Sequence, residues 1–369
     1  MRKWLFTIAP LTAALLVVTV LPARLDGQAA GTRAGTARYT PPRTPDGHPD
    51  LQGVYNVETI TPVERPDGIA SLIITEDEAR KLERAEVTRV ERAAEPSPVD
   101  RTAGAVGANV GGYNNFWIQR GSKVIRMEGQ YRSSLIIDPP NGKIPPQLPE
   151  AKTRNSTPPG RVARPTSDAP ENLNPQGQGA FDDPEIRPLA ERCIIAFGSS
   201  SGPPTLPNYF YNNLKQIVQT KDRIMILVEM VHDARIIRMN QPHLPSHIKK
   251  WMGDSVGRWE GDTLVVDTTN FTDKTRFRGS SDKLHVVERF TRIDANTLLY
   301  RFTIEDPTTW PTSWTGEYPW NATSEQIYEY ACHEANYAMY NIMSGARYQE
   351  KLEREAAAAG KKPAAADKK

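Results

Sequence analysis

Short runs of alternating apolar and polar residues, separated by turn residues, fill the stretch from Leu214 to Asp306. Such runs are typical of β-strands, and the turn residues between them indicate consecutive β-hairpins. The pattern predicts a mainly β fold: an antiparallel β-barrel or strongly curved sheet, with peripheral helices and a long Pro-rich loop. Three segments carry it, namely KQIVQTKDRIMILVEMVHDARIIRM, WMGDSVGRWEGDTLVVDTTNF and LHVVERFTRIDANTLLYRFTIED.

The N-terminus has the three parts of a secretory signal. Two basic residues precede the apolar run from Leu5 to Val20, and a small-residue stretch, Gly27 to Gly31, follows as a cleavage zone. An uncleaved membrane anchor is the alternative, but the run of about 16 residues is shorter than the ~20 that a spanning helix needs. The sequence therefore predicts a signal peptide over residues 1–29 and a periplasmic or secreted bacterial protein.

Charge and hydropathy restrict the partners of the mature chain. The formal net charge of the whole chain is +2. Cleavage removes three basic residues and one acidic residue, so the mature chain is formally neutral, whereas nucleic-acid binding needs clustered excess Lys and Arg. The sequence contains no second apolar stretch of comparable length. We therefore expect a small-molecule ligand, no nucleic acid and no membrane span after cleavage; the sequence specifies no oligomeric state.

One β-rich domain is expected over residues 30–348. Thr75-x-x-Glu78 has the form of a capping box and opens a charged helix over residues 76–94. A Pro-rich loop occupies residues 145–190, and such loops are either functional lids or disordered inserts. The low-complexity end, 349–369, is expected to be a disordered tail that begins with a frayed helix.

The chain has two cysteines, Cys193 and Cys332. In an oxidising compartment an even number of cysteines favours a disulfide. That bond would close a loop of about 140 residues and contribute ~4 kcal/mol in the chain-entropy model. Two buried free thiols are the alternative.

Parity assigns the side chains of Arg223–Ile237 to two faces if this segment is one continuous strand. The even positions are apolar except for His232, and the odd positions include Asp233 and Arg235. This interpretation places His232 toward the core and Asp233 and Arg235 on the opposite face. His232 and Asp233 would then not form a catalytic pair.

Two further polar residues have apolar neighbours on their face of a strand. Glu288 lies on the apolar face of Leu284–Ile293, and Tyr300 lies on that of the next strand, joined by the turn Asp294-Ala295-Asn296. A histidine, a carboxyl and a phenol that converge in a dry barrel can perform general acid–base catalysis or bind a ligand. The alternative is that His232, Glu288 and Tyr300 are satisfied core groups, with Glu288 paired with an arginine.

Several histidines and carboxylates have spacings that could suggest a metal site, but none is favoured. His243-x3-His247 contains Pro245, which fits better as the first residue of a short helix, Ser246–Trp251. Cys332-His333-Glu334 lacks the further Cys or His ligands of a zinc site. Glu260-Gly261-Asp262 is better interpreted as a hairpin turn than as part of a calcium loop. We therefore predict no metal and no cofactor.

Trp310 and Trp314 begin an aromatic cluster, continued by Tyr318 and Trp320, in a segment rich in Pro and Thr that is interpreted as a loop. Such rings can stack on a ligand at the mouth of a pocket, and Trp310 and Trp314 are the predicted ligand-binding residues. The alternative is a loop that buries its own rings against one end of the barrel.

Seven motifs are spread over nearly the whole mature chain: PDGHPDLQGVY, SLIIDPPNGKIPP, QIVQT, HDARIIRM, GDSVGRWEGDTLVVDTTNF, LHVVERF and YEYACHEANY. Together they resemble a large uncharacterised family of secreted bacterial proteins. The resemblance implies export and a shared architecture, and it implies no activity and no catalytic residues. The hairpin GRWEGDTLVVDTTNF is also similar to strands of lipocalin-like barrels that bind small ligands.

The predicted barrel supports three hypotheses about function. A barrel of about eight strands has room for a small ligand, so the first is a periplasmic protein that binds a small apolar or amphipathic molecule. The second is a cofactor-independent lyase, isomerase or hydrolase that uses inward His, Glu and Tyr side chains as acid and base. Ser199-Ser200-Ser201-Gly202, which follows Gly198, is interpreted as a loop and not as a nucleophile elbow, and P-loop, dinucleotide-binding and H-E-x-x-H motifs are absent from the sequence. The third is an envelope interaction protein that engages a partner through its Pro-rich loop and tail.

Overall fold

The computed structural model describes residues 39–94, 118–155, 181, 183–196, 201–208, 211–334 and 336–359, apart from a few side chains that include His232. From Thr40 onward these residues belong to one compact unit. The strands are β1 (Gly53–Asn56), β2 (Ile73–Ile74), β3 (Arg126–Met127), β4 (Gln130–Arg132), β5 (Ile136–Asp138), β6 (Leu214–Gln219), β7 (Arg223–Val228), β8 (Asp233–Met239), β9 (Asp254–Glu260), β10 (Thr263–Thr269), β11 (His285–Arg292), β12 (Thr297–Glu305) and β13 (Trp314–Thr323). The helices are α1 (Glu76–Ala94), α2 (Pro149–Asn155) and α3 (Tyr337–Ala358).

Nine of these strands close into a β-barrel, as the sequence predicts. Around the barrel the order is β1-β6-β7-β8-β9-β10-β11-β12-β13, and β13 pairs back with β1. Neighbouring strands are antiparallel except for β8 and β9, which are parallel and joined by residues 240–253. The short strand β5 also pairs with β13, and β2, β3 and β4 form a separate small sheet.

The two hairpins that the sequence marks with turn residues are confirmed. β9 pairs with β10 around the turn Glu260-Gly261-Asp262. β11 pairs with β12 around Asp294-Ala295-Asn296, with Tyr300 opposite Phe290. Glu288 and Tyr300 are fully buried and point into the barrel, as their parity predicts.

The prediction of one continuous strand over Arg223–Ile237 is wrong. β7 ends at Val228 and β8 begins at Asp233, and between them lies a 3-10 turn in which Val231 has a positive φ of 59°. Because the turn shifts the alternation by one residue, Val228 lies opposite Asp233, and Arg235 follows on the same face. Asp233 and Arg235 therefore face the interior, which contradicts their predicted outward placement.

The helices agree with the sequence-based predictions to different degrees. α1 has the predicted bounds, and its capping box is present: Glu78 N–H donates to Thr75 Oγ1 at 3.2 Å, and Thr75 N–H donates to Glu78 Oε2 at 2.7 Å. α3 includes residues 349–358, where the sequence predicts a frayed helix at the start of the tail, because this segment is rich in the strong helix formers Ala, Glu, Lys and Arg. Residues 246–251 form turns and irregular structure instead of the predicted short helix. No helix in the described ranges is both long and apolar enough to cross a lipid bilayer.

A segment that precedes β6 fills part of the barrel interior. Residues Ser201–Asn208, here called the plug segment, are all buried. The N–H of Thr205 donates to the hydroxyl of Tyr300 at 3.0 Å, and the hydroxyl of Tyr318 donates to the carbonyl of Thr205 at 2.7 Å. The predicted disulfide Cys193–Cys332 is confirmed, and it ties the chain before the plug segment to the chain after β13.

Most of the side chains that fill the barrel interior around these contacts are apolar. The ring centroids of Phe290 and Tyr300 lie 4.9 Å apart, and those of Tyr300 and Trp320 lie 5.1 Å apart. Burial of such side chains stabilises the barrel by roughly 2–3 kcal/mol each relative to exposure. The core includes Tyr55, Ile217, Ile224, Ile226, Ile237, Met239, Leu264, Val266, Val286, Phe290, Leu298, Phe302, Ile304, Trp314 and Trp320.

Candidate ligand site at the barrel mouth

An ion pair lies inside the barrel. Arg235 and Glu288 are 4% and 0% exposed, and both terminal guanidinium nitrogens bind the carboxylate: Nη1 contacts Oε2, and Nη2 donates to Oε1 at 2.9 Å. The hydroxyl of Tyr300 donates to the same Oε1 at 2.8 Å. Burial raises the pKa of Tyr300 well above its usual value, and the charge of Glu288 adds to this effect. Tyr300 is therefore a neutral donor that stabilises the Glu288 carboxylate.

These contacts satisfy the hydrogen-bonding capacity of Glu288. They correspond to the alternative in which Glu288 is a core group paired with an arginine. Its oxygens accept from Arg235 and Tyr300, and Tyr300 in turn accepts from the plug segment. A general base needs a lone pair that faces its substrate. Because the Glu288 oxygens face protein donors, the geometry supports a role in holding the barrel and the plug segment together.

The other predicted site residues lie in different places. His232 is the last residue of the 3-10 turn, and its side chain lies outside the described part of the structure. Trp314 is the first residue of β13 and is fully buried, so it does not lie in a loop. Trp310 is 2% exposed and packs edge-to-face against Trp314, with centroids 5.9 Å apart. Both rings belong to the barrel core, and their role in ligand binding stays a prediction.

Sequence reasoning missed Lys215. This residue of β6 lies opposite Tyr55 on one side and Val228 on the other, so its side chain faces the interior. Lys215 is fully buried, and its Nζ has no hydrogen-bond partner in the described structure. Burial lowers the pKa of Lys215 to about 7, although the charges of Glu229 and Asp233 oppose the shift. Its place two residues before a buried isoleucine in KQIVQ is the sequence signal that identifies it as inward.

A cavity of about 460 Å³, here called the mouth cavity, lies where β1 ends, β6 begins and β7 ends. Three carboxylates, Glu58, Glu229 and Glu325, contribute to its wall. No Lys or Arg is among the described residues of the lining, so the cavity is acidic. The lining consists of Asn56, Glu58, Gln119, Tyr211, Asn212, Asn213, Leu214, Glu229, Glu325, Gln326 and Tyr328.

The carboxylates of the mouth cavity differ in their partners. Glu229 accepts from the N–H of Leu214 at 3.2 Å, and Glu325 accepts from the side-chain amide of Asn56 at 3.2 Å. Glu58 Oε2 is buried and has no hydrogen-bond partner in the described structure. Burial raises the pKa of Glu58; a hydrogen bond with Asn56 opposes the shift, and the charge of Glu325 adds to it. A ligand that donates a hydrogen bond or carries positive charge would satisfy this oxygen.

A second polar cluster lies on the outer wall of the barrel. His243 Nδ1 is 3.2 Å from Asp254 Oδ2, and His243 Nε2 is 2.9 Å from Asp267 Oδ1. His285 Nε2 is 3.1 Å from the same Asp267 oxygen, and His285 Nδ1 is 3.0 Å from Glu305 Oε2. Because a neutral imidazole has one N–H, His285 donates to both of its carboxylates only when its ring is protonated. The described residues hold no group of three or more His, Cys, Asp or Glu arranged to bind a metal ion.

This outer cluster predicts a loss of stability at alkaline pH. The hydrogen bond with Asp267 raises the pKa of His285 from 6.5 to about 9; burial opposes the shift, and the hydrogen bond with Glu305 adds to it. A pKa raised by folding stabilises the protein fully below pH 6.5, and this contribution disappears as pH rises through about 9. After a discount for solvent screening, we expect a loss of about 1–2 kcal/mol from His285. Urea unfolding from pH 6 to 10 measures it, and parallel profiles for the wild type and His285→Gln would contradict the prediction.

The structure thus defines a closed nine-stranded β-barrel with a filled interior and an acidic mouth cavity. No family model, no curated protein and no solved structure matches the chain. The geometry of the barrel and of its cavity is therefore the basis for assigning a function.

Proposed function

We propose that the protein is an exported barrel that binds a small molecule in the mouth cavity, and that the ligand carries a cationic or strongly hydrogen-bond-donating group. The unpartnered Oε2 of Glu58 is the observation that carries this proposal. An unsatisfied buried carboxylate oxygen is costly, by about 1–3 kcal/mol or more, unless a donor reaches it. A bound ligand supplies that donor.

The composition of the wall favours an amine attached to an apolar body. Glu58, Glu229 and Glu325 give the cavity a negative potential, which attracts a cation. Tyr211 and Tyr328 add aromatic surface for the apolar part of the ligand and for cation–π contact. The volume of about 460 Å³ falls within the usual range of small-molecule sites. The ligand is thus an amphipathic molecule with a positively charged end.

Two observations support export. The disulfide Cys193–Cys332 is of the kind that persists in an oxidising compartment. The N-terminal sequence has the form of a cleaved signal.

The likeness of one hairpin to lipocalin-like barrels agrees with small-ligand binding. The alternative of acid–base catalysis by Glu288 is less well supported, because Arg235 and Tyr300 occupy its oxygens.

Calorimetric titration of the mature, disulfide-intact protein with 2-phenylethylamine tests the proposal. We expect saturable binding of the amine and no measurable binding of 2-phenylethanol, which has nearly the same shape and no charge. Glu58→Gln should weaken amine binding by roughly tenfold or more, since a charge-assisted hydrogen bond contributes about 1.5–3 kcal/mol. Glu353→Gln, on the exposed face of α3, should leave the affinity unchanged.

Either of two results would overturn this proposal. One is equal binding of the amine and the alcohol, which would show that charge plays no part. The other is unchanged amine binding by Glu58→Gln, which would place the ligand outside the mouth cavity.

A further inference from the structure

Lys215 is the buried charged residue that the architecture of the barrel explains least well. Arg235, on the same interior, has Glu288 as its ion-pair partner. Lys215 is equally buried, yet its amine has neither a hydrogen-bond acceptor nor an ion pair within the described structure. An ammonium without a hydrogen-bond acceptor is disfavoured in such surroundings, and burial favours the neutral amine although the charges of Glu229 and Asp233 oppose this effect. A neutral lysine amine is a nucleophile, whereas an ammonium is not.

Glu229 links Lys215 to the mouth cavity, because its charge acts on the Lys215 amine. Leu214, the neighbour of Lys215 in β6, lines that cavity, and so does Glu229. Glu229 is fixed directly to this part of β6, because its carboxylate accepts from the N–H of Leu214 at 3.2 Å and its own N–H donates to the carbonyl of Leu214 at 3.1 Å. Glu229 thus lies at the cavity wall, and its charge also acts on the Lys215 amine.

We infer that Lys215 is a reversible covalent anchor for an aldehyde or ketone that enters through the mouth cavity. This inference rests on the proposed function only in that the carbonyl compound enters through the same mouth cavity. The site itself is a different one, inside the barrel, and its ligand is recognised by a carbonyl group and not by a positive charge.

The chemistry requires no further reagent. The Lys215 nitrogen lone pair forms a bond to the carbonyl carbon, and the carbonyl oxygen takes up a proton to give a carbinolamine. Loss of that hydroxyl with a second proton as water leaves an imine, so the net reaction of amine and carbonyl gives imine and water. Glu229, which lines the cavity and whose charge acts on Lys215, is the group that transfers these protons in this proposal. The dry interior limits hydrolysis of the imine.

Reductive trapping tests the inference. The mature protein is incubated at pH 7 with benzaldehyde at low concentration and sodium cyanoborohydride, and each alkylated lysine is then identified by peptide mapping. An amine with a pKa of about 7 is about half neutral at this pH, whereas an ordinary lysine is neutral in less than about one molecule in a thousand. We expect Lys215 to be alkylated at least tenfold faster than exposed lysines such as Lys351.

Lys215→Met provides the matched control. The variant should fold with a melting temperature equal to or above that of the wild type, because it replaces an unpartnered amine with an apolar chain of similar length. It should lose the fast phase of alkylation, whereas Lys351→Met should keep it.

Alkylation confined to exposed lysines while the protein is folded would overturn the inference, as would labelling of Lys215 only in denaturant. The Glu58→Gln variant separates the two proposals. If this variant loses amine binding but keeps fast alkylation of Lys215, both proposals stand. If a protein that still binds the amine shows only slow alkylation of Lys215, the covalent-anchor proposal is wrong and the proposed function stands.

Discussion

Replacing Arg235 with methionine is expected to lower the free energy of unfolding by about 3–5 kcal/mol. The substitution leaves the Glu288 carboxylate without its cation at a site with 0% exposure. Tyr300 still donates to it, but one neutral donor does not replace two charged hydrogen bonds. The loss comes from a buried charge without its partner, and urea unfolding of the disulfide-intact protein measures it.

The double variant Arg235→Met/Glu288→Gln is the control for this prediction. A neutral amide at position 288 still accepts a hydrogen bond from Tyr300 and carries no buried charge. We expect the double variant to be more stable than Arg235→Met alone by about 1–2 kcal/mol, because it removes the unpaired charge. If the double variant is no more stable than the single one, the loss comes from packing around the arginine stem and not from the ion pair.

Removing the disulfide is the second change with a large expected effect. The Cys193–Cys332 bond closes a loop with a sequence separation of 139 residues. In the chain-entropy model, a loop of this length restricts the unfolded chain by about 4–5 kcal/mol. We therefore expect the free energy of unfolding of the double variant Cys193→Ala/Cys332→Ala to be about 2–5 kcal/mol lower than that of the wild type.

The local contacts around the disulfide predict where its loss is felt first. Cys193 packs in a small cluster with Val228, Met230 and Val231, separate from the main barrel core. Hydrogen exchange should therefore increase most in residues 187–196 and 201–208, while the amides of β10–β12 keep their protection. A uniform increase over the whole barrel would show that the bond stabilises the barrel as a unit, and an unchanged free energy of unfolding would contradict the prediction.

Parity of the strands predicts the part of the interior where the strands are regular. Glu288 and Tyr300 lie in β11 and β12, whose turn residues mark the ends of both strands. Alternation therefore continues without interruption, and both residues face inward as predicted. The same reasoning identifies the turn between β9 and β10, because Gly261 provides the left-handed backbone conformation that such a turn requires.

Alternation fails where a turn is not marked by its residues. Val231 has a positive φ, which is rare for a β-branched residue, so nothing in EMVHD indicates the break between β7 and β8. The predicted inward–outward alternation is therefore shifted by one residue after the turn, and it places Asp233 and Arg235 on the wrong face of the sheet. The plug segment escapes sequence analysis for a different reason: its contacts with Tyr300 and Tyr318 join residues about 100 positions apart, which no local pattern encodes.

The odd number of strands in the barrel explains why one neighbouring pair is parallel. Directions around a closed ring can alternate throughout only when the number of strands is even, and this ring has nine. At least one neighbouring pair must then point the same way, and here that pair is β8 and β9. A tight turn cannot join two strands that run in the same direction, so residues 240–253 must travel back along the outside of the wall. That return path brings His243 to Asp254 and Asp267. The outer histidine cluster is thus a by-product of an odd ring, and a tenth strand inserted between β8 and β9 would remove the need for it.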